Sequence, residues 1–117
     1  MMTVQTLEEP PGVRVLHAVG DVDVRSTDLL LPGVADLVAG ATALVLDLTE
    51  VTFFDSSGCR LVDRFARESR QCGVPFRVVC PPSGPCRRVL EIVGMADALV
   101  SDTLPDALTA MGLEHPT

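Results

Sequence analysis

The residues best suited to chemistry stand together in one turn, Asp55-Ser56-Ser57-Gly58. A serine at the start of a helix lies beside backbone N–H groups that lack intrahelical partners, and such an end favours anions. A phosphate on Ser56 would bring roughly −1.5 to −2 charges at pH 7 and could accept bonds from those donors, while Asp55 next to it opposes the charge. The chemistry suggested is acceptance of a phosphoryl group that changes a surface. The same four residues also make an ordinary helix start, since Asp and Ser are favoured caps and Gly permits a tight turn.

Other chemistries fit these residues less well. A hydrolytic Ser56 needs a base, yet there is no Gly-x-Ser-x-Gly elbow, His17 reads as part of a strand and His115 stands in the tail. A receiver domain would use Asp55 as its acceptor but requires a lysine near the last strand, and every basic residue here is Arg. No Gly-x-x-x-x-Gly-Lys phosphate loop exists. Cys59, Cys72, Cys80 and Cys86 include no pair at the two-residue spacing of a zinc knuckle, so four reduced, mostly buried thiols are expected. Cys59 falls in the first turn of the helix after Gly58, where a thiol pKa can be depressed.

The elements that must position the turn follow from periodicity. Val13 to Val19 is β-branched and apolar, an early strand or hairpin closed by a turn at Gly20-Asp21-Val22-Asp23. Ser26 or Thr27 caps a helix from Asp28, with Pro32-Gly33 either near its first turn or kinking it. Ala43 to Leu48 is a nearly continuous apolar run, the pattern of a central strand buried on both faces. Beyond the turn, Leu61, Val62, Phe65, Ala66 and Ser69 recur at helical spacing, and Gly73 suits the C-terminal cap. A strand over 74–80 follows, then a loop at Pro81 to Pro85. Cys86, Val89, Leu90 and Val93 make the inner stripe of a short helix stopped at Gly94. Ala98-Leu99-Val100 is expected as a short edge strand, and Thr103 opens a last helix from Leu104 to about Met111. Strands alternating with helices imply an α/β layer fold.

The 117 residues suffice for one domain with a core of its own. No apolar run approaches the roughly 18 residues of a membrane span, and the first residues show no secretory signal, so a cytoplasmic protein is expected. The net charge of −7 is uneven. Residues 1–56 carry nine acids against Arg14 and Arg25, whereas the remainder balances seven Arg with seven acids. An acidic chain of this kind is a poor partner for nucleic acid or an anionic membrane.

Four motifs in order, Gly20-Asp21-Val22-Asp23, Leu44-Val45-Leu46-Asp47-Leu48, Phe53-Phe54-Asp55-Ser56-Ser57-Gly58 and Val89-Leu90-Glu91-Ile92-Val93-Gly94-Met95, resemble the STAS domain of bacterial anti-sigma factor antagonists. The resemblance covers about residues 4–112, with 1–3 and 113–117 expected as disordered termini. It implies a single domain with a mixed central sheet of about five strands flanked by about four helices. It also implies a non-enzymatic protein, a monomer or weak dimer, that binds an anti-sigma factor serine kinase when unphosphorylated and so releases a sigma factor. Carried over by position, Ser56 resembles the phosphoacceptor, Asp55 the acid beside it, Ser57 and Gly58 the helix start, and Asp23 the acid of the neighbouring loop. The chain needs no cofactor of its own, because the partner kinase supplies ATP and Mg2+. Cys59-Arg60 complete the expected partner-binding set, although the family commonly places an aliphatic and then a small or apolar residue there. Arg60, Arg64 and Arg67 share one helix face as a possible basic stripe. The alternative function is a STAS adaptor module of a transporter or other signalling complex in which Ser56 is only a cap.

Overall fold

The computed structural model describes residues 2–113; Met1 and the expected loose tail at 114–117, with His115, lie outside them. The chain forms β1 (Thr3–Glu8), β2 (Val13–Val22), α1 (Val24–Leu30), a 3-10 turn (Leu31–Gly33) and α2 (Val34–Val38). It continues through β3 (Ala43–Phe54), α3 (Ser56–Cys72), β4 (Phe76–Val79), α4 (Pro85–Ile92), α5 (Ala96–Leu99), β5 (Val100–Ser101) and α6 (Leu104–Ala110). The strands lie in the order β1-β2-β3-β4-β5, with β1 antiparallel to β2 and every other neighbour parallel. The apolar run at 43–48 is therefore the central strand, as its pattern requires.

Alternation along β2 and β3 sorts two cores. Leu16, Ala18, Leu44, Leu46 and Leu48 face α2, α3 and α4, packing with Val34, Val38, Leu61, Val62, Phe65 and Leu90. Val13, Val15, Ala43 and Val45 face the other way and are covered by Ala107 and Leu108 of α6. Each such side chain contributes about 1.5–3 kcal/mol on burial, so the larger core carries most of the hydrophobic stabilisation. Within it the rings of Phe65 and Phe76 stack with centroids 6.0 Å apart, which fixes α3 against β4.

Several boundaries differ from expectation for local reasons. β2 does not stop at Gly20: it continues to Val22, and the hairpin turn lies upstream at residues 9–12, between β1 and β2. The first helix begins at Val24 rather than Asp28, because Asp23 is the cap and Ser26 answers it from the third helical position. Pro32 lies in the 3-10 turn that separates α1 from α2, so the helix is broken there, and with one-turn α5 this gives more helical pieces than four. Ala98 and Leu99 belong to α5, leaving an edge strand of two residues. Val93 sits at the cap of α4 and is 49% exposed, outside the inner stripe of Cys86 and Leu90. At the edges of the described residues, Thr3 pairs with Val19, and the Leu113 N–H donates to the Leu108 carbonyl at 2.8 Å.

α3 is the strongest helix and ends as its sequence demands. Gly73 adopts φ +69, and its N–H and that of Val74 return to the carbonyls of the last turn. Its apolar stripe of Leu61, Val62 and Phe65 is buried, whereas Arg60, Arg64 and Arg67 are exposed. No described helix is long and apolar enough to cross a membrane.

Candidate functional site

β2 and β3 run parallel and finish level with one another, Val22 beside Phe54. Their next residues, Asp23 and Asp55, are the caps of α1 and α3. Two helix starts and two carboxylates are thus brought to one end of the sheet, which is where open α/β sheets place their sites.

At the first start, the Ser26 N–H donates to Asp23 Oδ1 at 3.0 Å and the Asp23 N–H donates to Ser26 Oγ at 2.9 Å, a reciprocal capping box. The bond from the Ser26 N–H is the main reason the Asp23 carboxyl is held below its ordinary pKa. The second start is simpler. The Ser57 N–H donates to Asp55 Oδ1 at 2.9 Å, and the N–H groups of Gly58 and Cys59 reach the Asp55 carbonyl at 3.0 and 3.4 Å. The donors expected beside both serines are thereby largely taken, and among the first-turn groups only the Ser56 N–H has no partner among the described residues.

The two serines of the motif part ways. Ser56 is exposed at the first position of α3, while Ser57 is 8% exposed and turned inward. Gly58 is buried as well, and for a steric reason. A Cβ at that position would stand 2.4 to 2.7 Å from three atoms of the Phe54 ring, so the ring and the helix start fit only because no side chain is present. Ser57 and Gly58 therefore shape the site from beneath, and Asp23, Asp55, Ser56, Cys59 and Arg60 keep surface that a partner can touch.

Cys59 departs from its expected chemistry. Partial burial, with the charge of the Asp55 carboxylate at the helix start adding to it, raises its thiol pKa instead of lowering it. Arg60 extends toward α1, its guanidinium 3.9 Å from Asp28 with both side chains exposed. Farther along the expected basic stripe, Arg67 pairs with Asp63 at 2.6 Å. Asp23 also borders an open cleft of about 300 Å³ between α1 and β1, lined by Met2, Val4, Ser26, Leu29 and Leu30.

His17 is remote from Ser56 in role. On the sheet face left open beside α6, its Nδ1 lies 3.0 Å from Asp47 Oδ2 and its Nε2 2.5 Å from Glu50 Oε2. The bond to Glu50, joined by Asp47, raises the imidazole pKa against the opposing effect of burial. With both ring nitrogens engaged by carboxylates, His17 is not placed to serve as a base for either serine.

Two residues named from the sequence take roles not assigned to them there: Phe54 packs under Gly58, and Ser26 is the partner of the Asp23 cap instead of the cap itself. Phe54 stands four residues before Gly58, a spacing that lets a ring at a strand end cover the next helix start. Ser26 follows Asp23 by three, which reads as a capping box once Asp is taken as the cap.

The STAS domain pattern matches residues 5–107. The chain belongs to the STAS domain family. It is similar to the anti-sigma-F factor antagonist RsfB of Mycobacterium tuberculosis, with 32% identity over 108 residues that cover 91% of this chain and 87% of that protein. Among solved structures it is similar to an anti-sigma factor antagonist from Mycobacterium paratuberculosis, with a TM-score of 0.80, 29% identity, and coverage of 94% of this chain and 93% of that one. A sulfate transporter family protein from Wolinella succinogenes shares the fold, with a TM-score of 0.71 at 22% identity over 88% of this chain and 87% of that one.

Proposed function

We propose that this chain is an anti-sigma factor antagonist controlled at Ser56. Unphosphorylated, it binds an anti-sigma factor serine kinase through Asp23, Asp55, Ser56, Cys59 and Arg60, and so releases a sigma factor. The observation that carries this reading is the division of the two serines: Ser56 is exposed at the start of α3, whereas Ser57 beside it is buried. Similarity to RsfB, which is an anti-sigma-F factor antagonist, supports the class of partner.

The chain supplies only the acceptor. The kinase brings ATP and Mg2+ in the cytoplasm; Ser56 Oγ bonds to the γ-phosphorus, the bond from that phosphorus to the bridging oxygen breaks, and ADP leaves. The hydroxyl proton passes to a base of the kinase. The product sets a phosphate of roughly −1.5 to −2 charges beside Asp55 and near Asp23, and the added charge and bulk weaken the complex with the kinase. The fold alone does not choose between this role and a transporter adaptor, since a transporter family protein shares it.

Incubation with the cognate kinase and Mg-ATP, followed by mass-spectrometric mapping, tests the proposal. Phosphate on Ser56 is expected, with none on the Ser56→Ala protein. Phosphate confined to another residue, or no transfer, overturns it. A pull-down with the unmodified chain that returns transporter subunits and no kinase favours the adaptor.

A further inference from the structure

Arg60 lies one helical turn beyond Ser56 on the same face of α3, and long side chains on a helix lean back toward its N-terminus. Its present partner is a weak one. The guanidinium stands 3.9 Å from Asp28 on α1, without a hydrogen bond, and both side chains are more than half exposed. Exposed pairs of this kind contribute little to stability. A phosphate on Ser56 would offer the same guanidinium a higher charge, three acceptor oxygens and a geometry suited to two parallel N–H bonds.

We infer that Arg60 is an internal phosphate clamp: when Ser56 carries phosphate, Arg60 leaves Asp28 and bonds the phosphate. The inference rests on Ser56 being the phosphoacceptor, and adds that the mark is read first within the chain. The exchange has two effects. It removes the only ion pair between α1 and α3 among the described residues, and it leaves the already exposed Asp28 carboxylate on α1 without its counter-charge. Phosphorylation then alters the α1 side of the site as well as the α3 side.

The test uses full-length protein with phosphoserine installed at position 56 during synthesis, so that it does not depend on any kinase. The second pKa of the phosphate is read from its 31P shift at low salt. Arg60→Gln is expected to raise that pKa by about 0.3–0.5 units, because a cation that favours the dianion has gone. Asp28→Asn is expected to lower it slightly by removing the competitor. Arg64→Gln, an equal change of charge one turn farther along α3, is expected to leave it unmoved. Coincident titrations for wild type and Arg60→Gln, or an equal shift from Arg64→Gln, overturn the clamp. Failure of the phosphoacceptor reading looks different: the kinase leaves Ser56 unmodified while the installed phosphoserine still responds to Arg60.

Discussion

The ring of Phe54 occupies the volume into which any side chain at position 58 would grow, its Cε1 only 2.4 Å from the site of a Cβ on Gly58. Phe54 is itself 6% exposed and packed in the larger core, so it has little room to retreat. Gly58→Ala is therefore expected to destabilise the protein by about 1–3 kcal/mol, the usual range for overpacking. Phe54→Leu added to Gly58→Ala should recover part of that loss. Urea unfolding of the two variants checks this, and a midpoint for Gly58→Ala equal to wild type contradicts it.

The bonds of His17 to Asp47 and Glu50 give stability a pH dependence of definite sign. The folded pKa is raised above the ordinary imidazole value of about 6.5, so the contribution is fully present below that value and is lost as pH rises through the folded pKa. Measured by urea unfolding from about pH 6 to about pH 8.5, the stability advantage of wild type over His17→Gln should shrink. A difference that stays constant or widens across that range refutes the stabilising role of these His17 bonds.

Binding should distinguish two substitutions at Ser56. Ser56→Asp adds a charge beside Asp55 and is expected to weaken capture of the partner kinase about tenfold or more, whereas Ser56→Ala binds as wild type but cannot be switched. Calorimetric titration of both variants supplies the comparison. Equal affinities count against charge as the means of release.

Thiol reactivity should follow burial. Cys72 is exposed, Cys59 is half-buried with a raised pKa, and Cys80 and Cys86 are buried. In native protein a thiol reagent should modify Cys72 first and Cys59 slowly, reaching the other two only on unfolding. Mass spectra taken along the time course report the order, and early modification of Cys80 or Cys86 runs against it.

The features legible from sequence were those with a strong local cause. The apolar run of β3, the stripe of α3, the Gly73 stop and the Thr103 cap each appear where their patterns place them. Less legible were features set by contacts between distant segments. Asp23 caps α1 because β2 extends past Gly20, and that extension is held by pairing with β3, which local turn chemistry does not reveal. Cys59 lacks its expected acidity because burial, with the Asp55 charge adding to it, raises its pKa. The Ser56 position was readable, but the burial of Ser57 depends on how the turn is seated, a property of packing rather than of spacing.

The level alignment of Asp23 with Asp55 depends on a count. Val13 pairs with Ala43, yet nine residues later Val22 pairs with Phe54, so β3 has taken up two more residues than β2 by way of two shifts in register. At roughly 3.3 Å per residue those two amount to about 7 Å, without which one helix start would overshoot the other. Bonds from Thr49 to Asp47 and from Thr52 to Asp21 brace the slack stretches. The surplus works as a shim. Removing one residue near Thr49 would shorten β3 and displace Ser56 from Asp23 without altering a single group in the turn.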